Sequence, residues 1–415
     1  SIFMVSLLIQ IALLPLNLLL FGNAGFWFFL NILWLPVVDM LVLPASALGL
    51  VLAGMGMEEA ARSLLHLAAQ PCGWLTGGLN WLRDAAILQA PALLRPHWTA
   101  LPAFALLYCT LAFAGSRGKT LRHVPRRLLL AGLALLCTGP LLRLAEGYSD
   151  TITLEVLDVG QGQALNLRGP DGLTLVLDGG GSNSPRFDPG AALVAPALSY
   201  NRPPRISAVC NSHPHQDHLG GLFHLLQYFE VRKLFDNGRE ARGSQAPLWQ
   251  NLRKTLGASQ LAAGDCLILG DPADGLRLEV LHPPRHDPAW QENDASLILR
   301  LTRHGQGLVL FTGDAERPAL RHLLALGYDM RSQVVIAPHH GSNSSFLAAF
   351  YRAVQPELVL VSCGFQNRYN YPGKRLRQWL EKEGIPLYDT GSGGHMRVTW
   401  SSGGSLRLHM ARPEG

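Results

Sequence analysis

An α-helical membrane region followed by a layered α/β domain is the architecture this sequence predicts, and three observations carry it. The 415-residue chain is 48% hydrophobic and only 16% charged, with a mean hydropathy of +0.15. That excludes disorder and is high for a chain folding entirely in water. One charged residue, Asp39, stands between Ser1 and Met57, whereas charges are frequent from Thr151 to Gly415. From Thr151 the pattern turns to period-two strands alternating with helical segments, the signature of a layered α/β arrangement. The expected division is membrane helices over 1–147 and a globular domain over 150–415.

Phe3–Phe21 is apolar over close to the ~20 residues a spanning helix needs. Phe26–Leu52 is longer and interrupted by Pro36, Asp39 and Pro44. Asp39 reads two ways: facing a bundle interior or water path, as an acid in a span does, or in a loop between two half-helices. Residues 58–96 open on Glu58, Glu59 and Arg62 and continue amphipathically through Leu64, Leu65, Leu67 and Trp74 to Trp81, which predicts an interfacial or re-entrant segment. Leu101–Ala114 and Leu128–Leu142 are shorter apolar runs.

Between those two runs lies SRGKTLRHVPRR, with Arg117, Lys119, Arg122, Arg126 and Arg127 and no acid. The positive-inside rule makes this loop cytoplasmic; alternatively it binds anionic headgroups beside a non-spanning hairpin. If Leu128–Leu142 crosses once, everything after about residue 147 lies outside the cytoplasm. The chain starts at Ser1 directly in apolar sequence, with no basic leading segment or cleavage site, so it reads as a piece of a longer membrane protein.

The net charge is +5. Residues 1–150 hold nine Lys/Arg and six Asp/Glu, and the remainder 26 and 24, so the globular part is nearly neutral. Charge alone does not announce a nucleic-acid binder. Cys72, Cys109, Cys137, Cys210, Cys266 and Cys363 form no CxxC pair, which argues against a cysteine zinc site or a disulfide framework, though not against a single bridge.

TITLEVLDV alternates as a half-buried strand, and GQGQALNLR and LTLVLD, joined at Gly169–Gly172, read as a hairpin ending at Asp178. Helical segments follow at Leu222–Phe229 and Leu376–Glu383. The chemistry concentrates in ISAVCNSHPHQDHLGG, where an apolar strand (Ile206–Cys210) runs into His213, His215, Asp217 and His218. Imidazoles two apart on extended backbone can reach one metal, and the carboxylate and imidazole just after them a second. Such donors suit Zn²⁺, Mn²⁺ or Fe²⁺, and packed cores avoid such clusters. LVLFTGDAE places Asp314, and VVIAPHHGSNSS places His339 and His340, at further strand ends, where α/β layers build their sites.

HxHxDH, the strand-end Asp178, TGD and HHGS together resemble the metallo-β-lactamase fold, an αββα sandwich with one or two divalent metal ions. With LDVGQG (Leu157–Gly162), NDASLILRL (Asn293–Leu301) and the preceding apolar region, the chain resembles the ComEC-type DNA-uptake proteins of natural competence. The globular resemblance covers about residues 151–400; the apolar half matches only by hydropathy and a loose NILWLPVV segment. The resemblance implies a multi-pass inner-membrane channel passing single-stranded DNA, with an extracytoplasmic nuclease-like domain. It also implies membrane lipids and other competence proteins as partners, with a homo-oligomer as one further arrangement. By position it makes His213, His215, Asp217, His218 and Asp314 metal ligands. It favours His339 over its neighbour as ligand, leaves His340 an adjacent or catalytic group, gives Asp217 a catalytic role as well, and makes Asp178 an orienting carboxylate.

Two departures stand out. Asn293-Asp294 occupies a place where relatives carry a histidine, so one metal loses a ligand or takes a weaker oxygen, with His282 or His286 as substitutes. NRYNYP (Asn367–Pro372) puts Tyr371 where a histidine able to donate a proton is expected. Arg368, Lys374, Arg375 and Arg377 lie near Tyr369 and Tyr371, mixing backbone-binding bases with stacking rings, or else forming a solvated helix start. Ser342, Asn367, Arg368, Tyr369, Tyr371 and Lys374 are the expected substrate contacts. The first reading is a metal-dependent phosphodiesterase attached to a DNA channel, degrading the strand not imported, with metal-activated water as nucleophile oriented by Asp217. Two rivals are a domain that binds DNA without cutting it and a hydrolase of esters, lactones or β-lactams.

Overall fold

The computed structural model describes residues 2–22, 30–84, 92–116, 126–147, 149–182, 184, 187–285, 289–401 and 404–412. They form two compact units, Ser1–Pro140 and Leu141–Gly415.

The first unit is helical: α1 (Ile2–Phe21), α2 (Asn31–Val37), α3 (Leu43–Gly54), α4 (Glu58–Asp84), α5 (Ala100–Ser116) and α6 (Arg126–Gly147), the last running past the division. A π-helical turn, Val38–Val42, joins α2 to α3. Asp39 sits in that turn with its side chain exposed. Because the turn is continuous with α2 and α3, Asp39 does not lie in a loop between two half-helices. The turn lies between Pro36 and Pro44, whose missing N–H donors already interrupt the regular ladder.

Within the segment expected to be interfacial or re-entrant, residues 58–84 form one continuous 27-residue helix. Helices α5 and α6 reach 17 and 22 residues, longer than their apolar stretches, because polar residues at the ends, among them Arg126, Arg127 and Arg143, extend the helix that hydropathy detects. Among the described residues, two helical stretches, Trp34–Gly54 and Arg126–Gly147, are long and apolar enough to cross a membrane. Most of the basic segment, residues 117–125, lies outside the described residues. Small residues set the close approaches: a Cβ at Gly49 would meet Leu65 at 2.8 Å, and one at Gly132 would meet Leu107 at 3.2 Å.

In the second unit the strands are β1 (Ile152–Val156), β2 (Ala164–Arg168), β3 (Thr174–Gly179), β4 (Arg205–Ile206), β5 (Ala208–Asn211), β6 (Glu230–Val231), β7 (Leu234–Asp236), β8 (Ser259–Gln260) and β9 (Cys266–Ile268). They continue as β10 (Leu276–His282), β11 (Ile298–Arg303), β12 (Gln306–Phe311), β13 (Val334–Ile336), β14 (Leu358–Val361), β15 (Leu387–Asp389), β16 (Met396–Trp400) and β17 (Leu406–Met410). One sheet runs β17-β16-β1-β2-β3-β5-β7-β8, the other β15-β14-β13-β12-β11-β10-β9.

Their inner faces meet in one core, where Ile152, Leu165 and Leu175 pack with Leu278, Leu299 and Val309. The outer face of the second sheet is covered by helices Arg317–Leu326, Ala348–Val354 and Lys374–Glu383 through Leu320, Phe350 and Leu380. Helices Leu222–Tyr228 and Ala246–Thr255, with Phe223 against Trp249, accompany the first. This is the expected αββα sandwich. Strand β3, antiparallel to β2 and parallel to β5, is buried at every position, and its apolar centre Leu175–Leu177 does not alternate because the layer is covered on both faces. The single strand expected at Ile206–Cys210 divides at Ser207, whose hydroxyl accepts the Thr174 N–H; Arg205–Ile206 then pairs with β6 instead.

One buried charge cluster spans β1, β2 and β16. Glu155 accepts from Asn166 at 2.7 Å, from Arg168 at 3.2 Å and from Arg397 at 2.8 Å, with His395 at 3.7 Å. Burial pushes the Glu155 carboxyl up, but His395 and the two guanidiniums outweigh it and hold the group far below the carboxylate range.

Candidate metal centre

Four strand ends converge on one rim. The last residues of β3 carry Asp178; β5 leads into Ser212 and His213, then a short helix Gln216–Leu219 bearing Asp217 and His218; β12 leads to Asp314; and β13 leads to His339 and His340. Three of these residues hold left-handed backbone: Asp178 at φ 58°, His339 at 51° and His340 at 54°. Such strain in non-glycine residues persists where the surrounding structure over-determines it, most often at functional sites.

Close approach of glycine backbone shapes the floor. A Cβ on Gly181 would lie 1.8 Å from the Gln216 carbonyl, and one on Gly162, at φ 152°, would lie 2.5 Å from the Asp217 carbonyl. The LDVGQG and Asp178-Gly-Gly-Gly segments are thus glycine-rich because the histidine loop lies directly on them.

Asp217, His218, Asp314 and His340 bring one donor atom each to within 4.8 Å of one another. His218 donates from Nδ1 to Asp178 at 2.7 Å, so in the neutral ring Nε2 carries a lone pair, 3.0 Å from Asp314 Oδ1. His340 donates from Nδ1 to the Ser362 carbonyl at 2.8 Å, and its Nε2 lies 3.4 Å from Asp217 and 3.6 Å from Asp314. Among buried atoms, Nε2 of His213, His218 and His340 and Oδ1 of Asp314 have no hydrogen-bond partner. Lone pairs of nitrogen and oxygen aimed at one another in a dry pocket call for a shared proton or a cation. The mixed imidazole and carboxylate set suits a divalent transition-metal ion.

The electrostatics point the same way. Burial pushes the His218 imidazole down, but Asp314 and Asp178 outweigh it and hold the ring well above its ordinary value. Burial likewise opposes ionisation of Asp314, yet His218 and His340 pull its carboxyl well below the usual range. Positive charge is stabilised at this point in the fold.

Asp178 holds the assembly. Besides His218 it accepts from the Ser212 N–H and hydroxyl, both at 2.7 Å, from Gln163 at 3.0 Å and from Asn211 at 3.2 Å. Ser212, Gln163 and Ser362 belong to this scaffold and went unrecognised in the sequence; the signal for Ser212 and Gln163 was adjacency to the HxHxDH and GQGQ segments, and Ser362, just after β14, carried none.

Other expected ligands stand apart. His213 is fully buried, 4.0 Å from Asp314, outside the tight group. His215 is partly exposed and bonds Glu292 at 2.9 Å, a partner 77 residues away. Of the adjacent histidines it is His340 that joins the group, while His339, the expected ligand, lies with Nε2 3.8 Å from Asp314 and Nδ1 3.0 Å from Glu316. The Asp294 carboxylate accepts the Glu316 and Ala319 N–H groups at the start of helix Arg317–Leu326, which occupies it as a cap. Asn293 presents a buried Oδ1. His282 donates to or accepts at the Asp294 carbonyl through Nε2 at 2.7 Å, and since a carbonyl only accepts, the ring is the donor. His286 lies outside the described residues.

A cavity of about 770 Å³ opens onto the group, lined by Asp217 and His339 on its floor and by Asn367, Arg368, Tyr369 and Tyr371 on one wall. Ser342 and Lys374 do not line it. Asn367 clamps its own loop, bonding the Tyr371 N–H and carbonyl at 2.9 Å each.

The family described as Metallo-beta-lactamase superfamily matches residues 157–364, and that described as Competence protein matches residues 1–118. ComE operon protein 3 of Bacillus subtilis (strain 168) is 25% identical over 413 residues, covering 96% of this chain and 51% of the relative. Competence protein ComA of Neisseria gonorrhoeae is 25% identical over 382 residues, covering 90% and 48%. This chain therefore spans about half the length of the curated relatives it matches. Among solved structures, a metallo hydrolase of Ignicoccus hospitalis KIN4/I covers 62% of this chain and 98% of its own at 15% identity and a TM-score of 0.38, too loose a likeness to carry an argument.

Proposed function

We infer what this chain does from one premise: it belongs to the metallo-beta-lactamase superfamily, and ahead of that domain residues 1–118 match the competence-protein family. Its function is DNA uptake across the inner membrane. Residues 1–147 contribute membrane-crossing helices to a multi-pass channel. Residues 150–415, outside the cytoplasm, form a metal-dependent phosphodiesterase that degrades the strand left behind. The observation that carries this reading is the group of Asp217, His218, Asp314 and His340, which meets an open cavity at Asp217.

A divalent cation, Zn²⁺ or Mn²⁺, held by these four residues supplies Lewis acidity and activates water near neutral pH. The chain's own residues do the rest. Asp178 and the Ser362 carbonyl hold the Nδ1 protons of His218 and His340, which fixes both tautomers. Asp217, which is partly exposed on the cavity floor, presents its carboxylate to the attacking water and orients it. Arg368 stands on the cavity wall, where its guanidinium contacts a phosphate oxygen. A second cation would draw on His213 and on His215 once released from Glu292.

A second reading, a domain that guides DNA without cutting it, draws on that Glu292–His215 bond and on Tyr371 in place of a proton-donating histidine. The test uses the full chain in detergent. Metal content is measured, and end-labelled single- and double-stranded DNA is incubated with Zn²⁺ or Mn²⁺. Cleavage that requires metal and disappears in Asp314→Ala supports the phosphodiesterase. Metal and DNA bound with the strand intact favours the guide. Turnover of nitrocefin or a lactone with DNA untouched would sink both.

A further inference from the structure

Asp39 stands inside a helical stretch long and apolar enough to cross a membrane, Trp34–Gly54. Counted from Trp34, it lies roughly 8 Å into that span. Its side chain is exposed, and no hydrogen bond or ion pair joins its carboxylate to another described residue. The backbone is open at the same residue. In the π-helical turn Val38–Val42, the Leu43 N–H bonds the Val38 carbonyl. The α register would have given that N–H to the Asp39 carbonyl. The π register gives Asp39 residue 44 as its donor, and residue 44 is a proline with no N–H. The Asp39 carbonyl therefore finds a donor in neither register. One residue offers a carboxylate and a main-chain oxygen together.

We propose that this turn is a cation-binding site within the membrane, where the carboxylate and the main-chain oxygen of Asp39 hold a monovalent cation. The inference rests on the membrane-crossing reading of Trp34–Gly54. It is independent of the metal centre, whose residues belong to the other compact unit. Three physical points lead to it. An ionised carboxylate inside a span is costly and persists where a partner of opposite charge or a water-filled path meets it. Carboxylate and carbonyl oxygens suit hard cations, and helices broken within a membrane hold such ions through the carbonyls that the break sets free. One carboxylate cancels one positive charge, so a monovalent ion leaves a neutral pair in lipid. A divalent ion would leave a net charge there, which a low dielectric penalises. The prolines on either side, Pro36 and Pro44, keep the ladder from closing over the site.

The test reconstitutes the full chain in phosphatidylcholine vesicles and treats it with a hydrophobic fluorescent carbodiimide, which modifies carboxyl groups reached from the bilayer. Labelled peptides are identified by mass. Rates are compared in sodium, lithium and choline chloride at equal ionic strength and fixed pH. The expected result is label on Asp39, absent in Asp39→Asn, with a rate several-fold slower in Na⁺ or Li⁺ than in choline, because a bound ion occupies the carboxylate. Pro44→Ala supplies the missing N–H, so label on Asp39 persists while its slowing by salt shrinks. Equal rates in all three salts, or no label on Asp39 in any of them, would overturn the cation site and leave the reading of the metal centre intact. Full slowing by salt retained in Pro44→Ala would overturn the two-oxygen site.

Discussion

Nδ1 of His218 donates to the Asp178 carboxylate across 2.7 Å, and that single bond decides which ring nitrogen looks at Asp314. Asp178→Ala removes the acceptor and frees the imidazole to turn. Metal affinity of the full chain is expected to fall 10–100-fold, the usual effect of losing a partner behind a ligand. Competition with a fluorescent chelator measures it, and far-UV circular dichroism separates it from unfolding. Unchanged affinity would mean that Asp178 holds only the loop.

The two adjacent histidines separate by the same measurement. His340→Ala removes a donor from the group of four, so metal binding weakens strongly. His339→Ala removes a ring that faces Glu316 and weakens it far less. Equal losses would place both imidazoles on the cation and refute the ranking drawn from geometry.

Gly181→Ala tests the floor of the centre from the backbone side. Its Cβ would sit 1.8 Å from the Gln216 carbonyl, so the segment carrying Asp217 and His218 must move. We expect a stability loss of about 1–3 kcal/mol together with loss of metal binding, read by thermal melts with and without Zn²⁺. A variant that keeps full metal affinity would show the loop to be more compliant than its packing suggests.

Glu155 gives a pH dependence independent of the metal. Its folded carboxyl lies below the ordinary value of 4.5, so its stabilisation is complete above that value and is lost as pH falls through it toward the lower folded value. Glu155→Gln leaves Arg168 and Arg397 without their charge partner. It is expected to lower stability at pH 7 by about 3 kcal/mol and to flatten the decline between pH 5 and pH 2, in melts recorded across that range. A mutant as steeply acid-sensitive as the parent would assign the decline to other carboxylates.

Much of the fold and centre was legible because strand ends announce themselves. Asp217, His218 and Asp314 each follow an apolar run, and nothing in packing explains such donors there. The choice between His339 and His340 was not legible. Both adopt positive φ, and that local twist, invisible to spacing, turns one ring inward and the other toward Glu316. Glu292 escaped notice because its bond to His215 joins residues far apart in sequence. The helices of the first unit were found but shortened, since hydropathy stops where Arg126 and Arg143 begin while the backbone ladder does not.

The four donors come from both layers of the sandwich, Asp217 and His218 from the loop after β5 and Asp314 and His340 from the ends of β12 and β13. All six thiols are free, so no covalent bridge ties these layers. A cation bound there would join the two sheets across nearly a hundred residues of chain, restricting the unfolded ensemble as a long-loop crosslink does. It would be a reversible staple, and the domain's resistance to unfolding would then track the supply of metal in its surroundings.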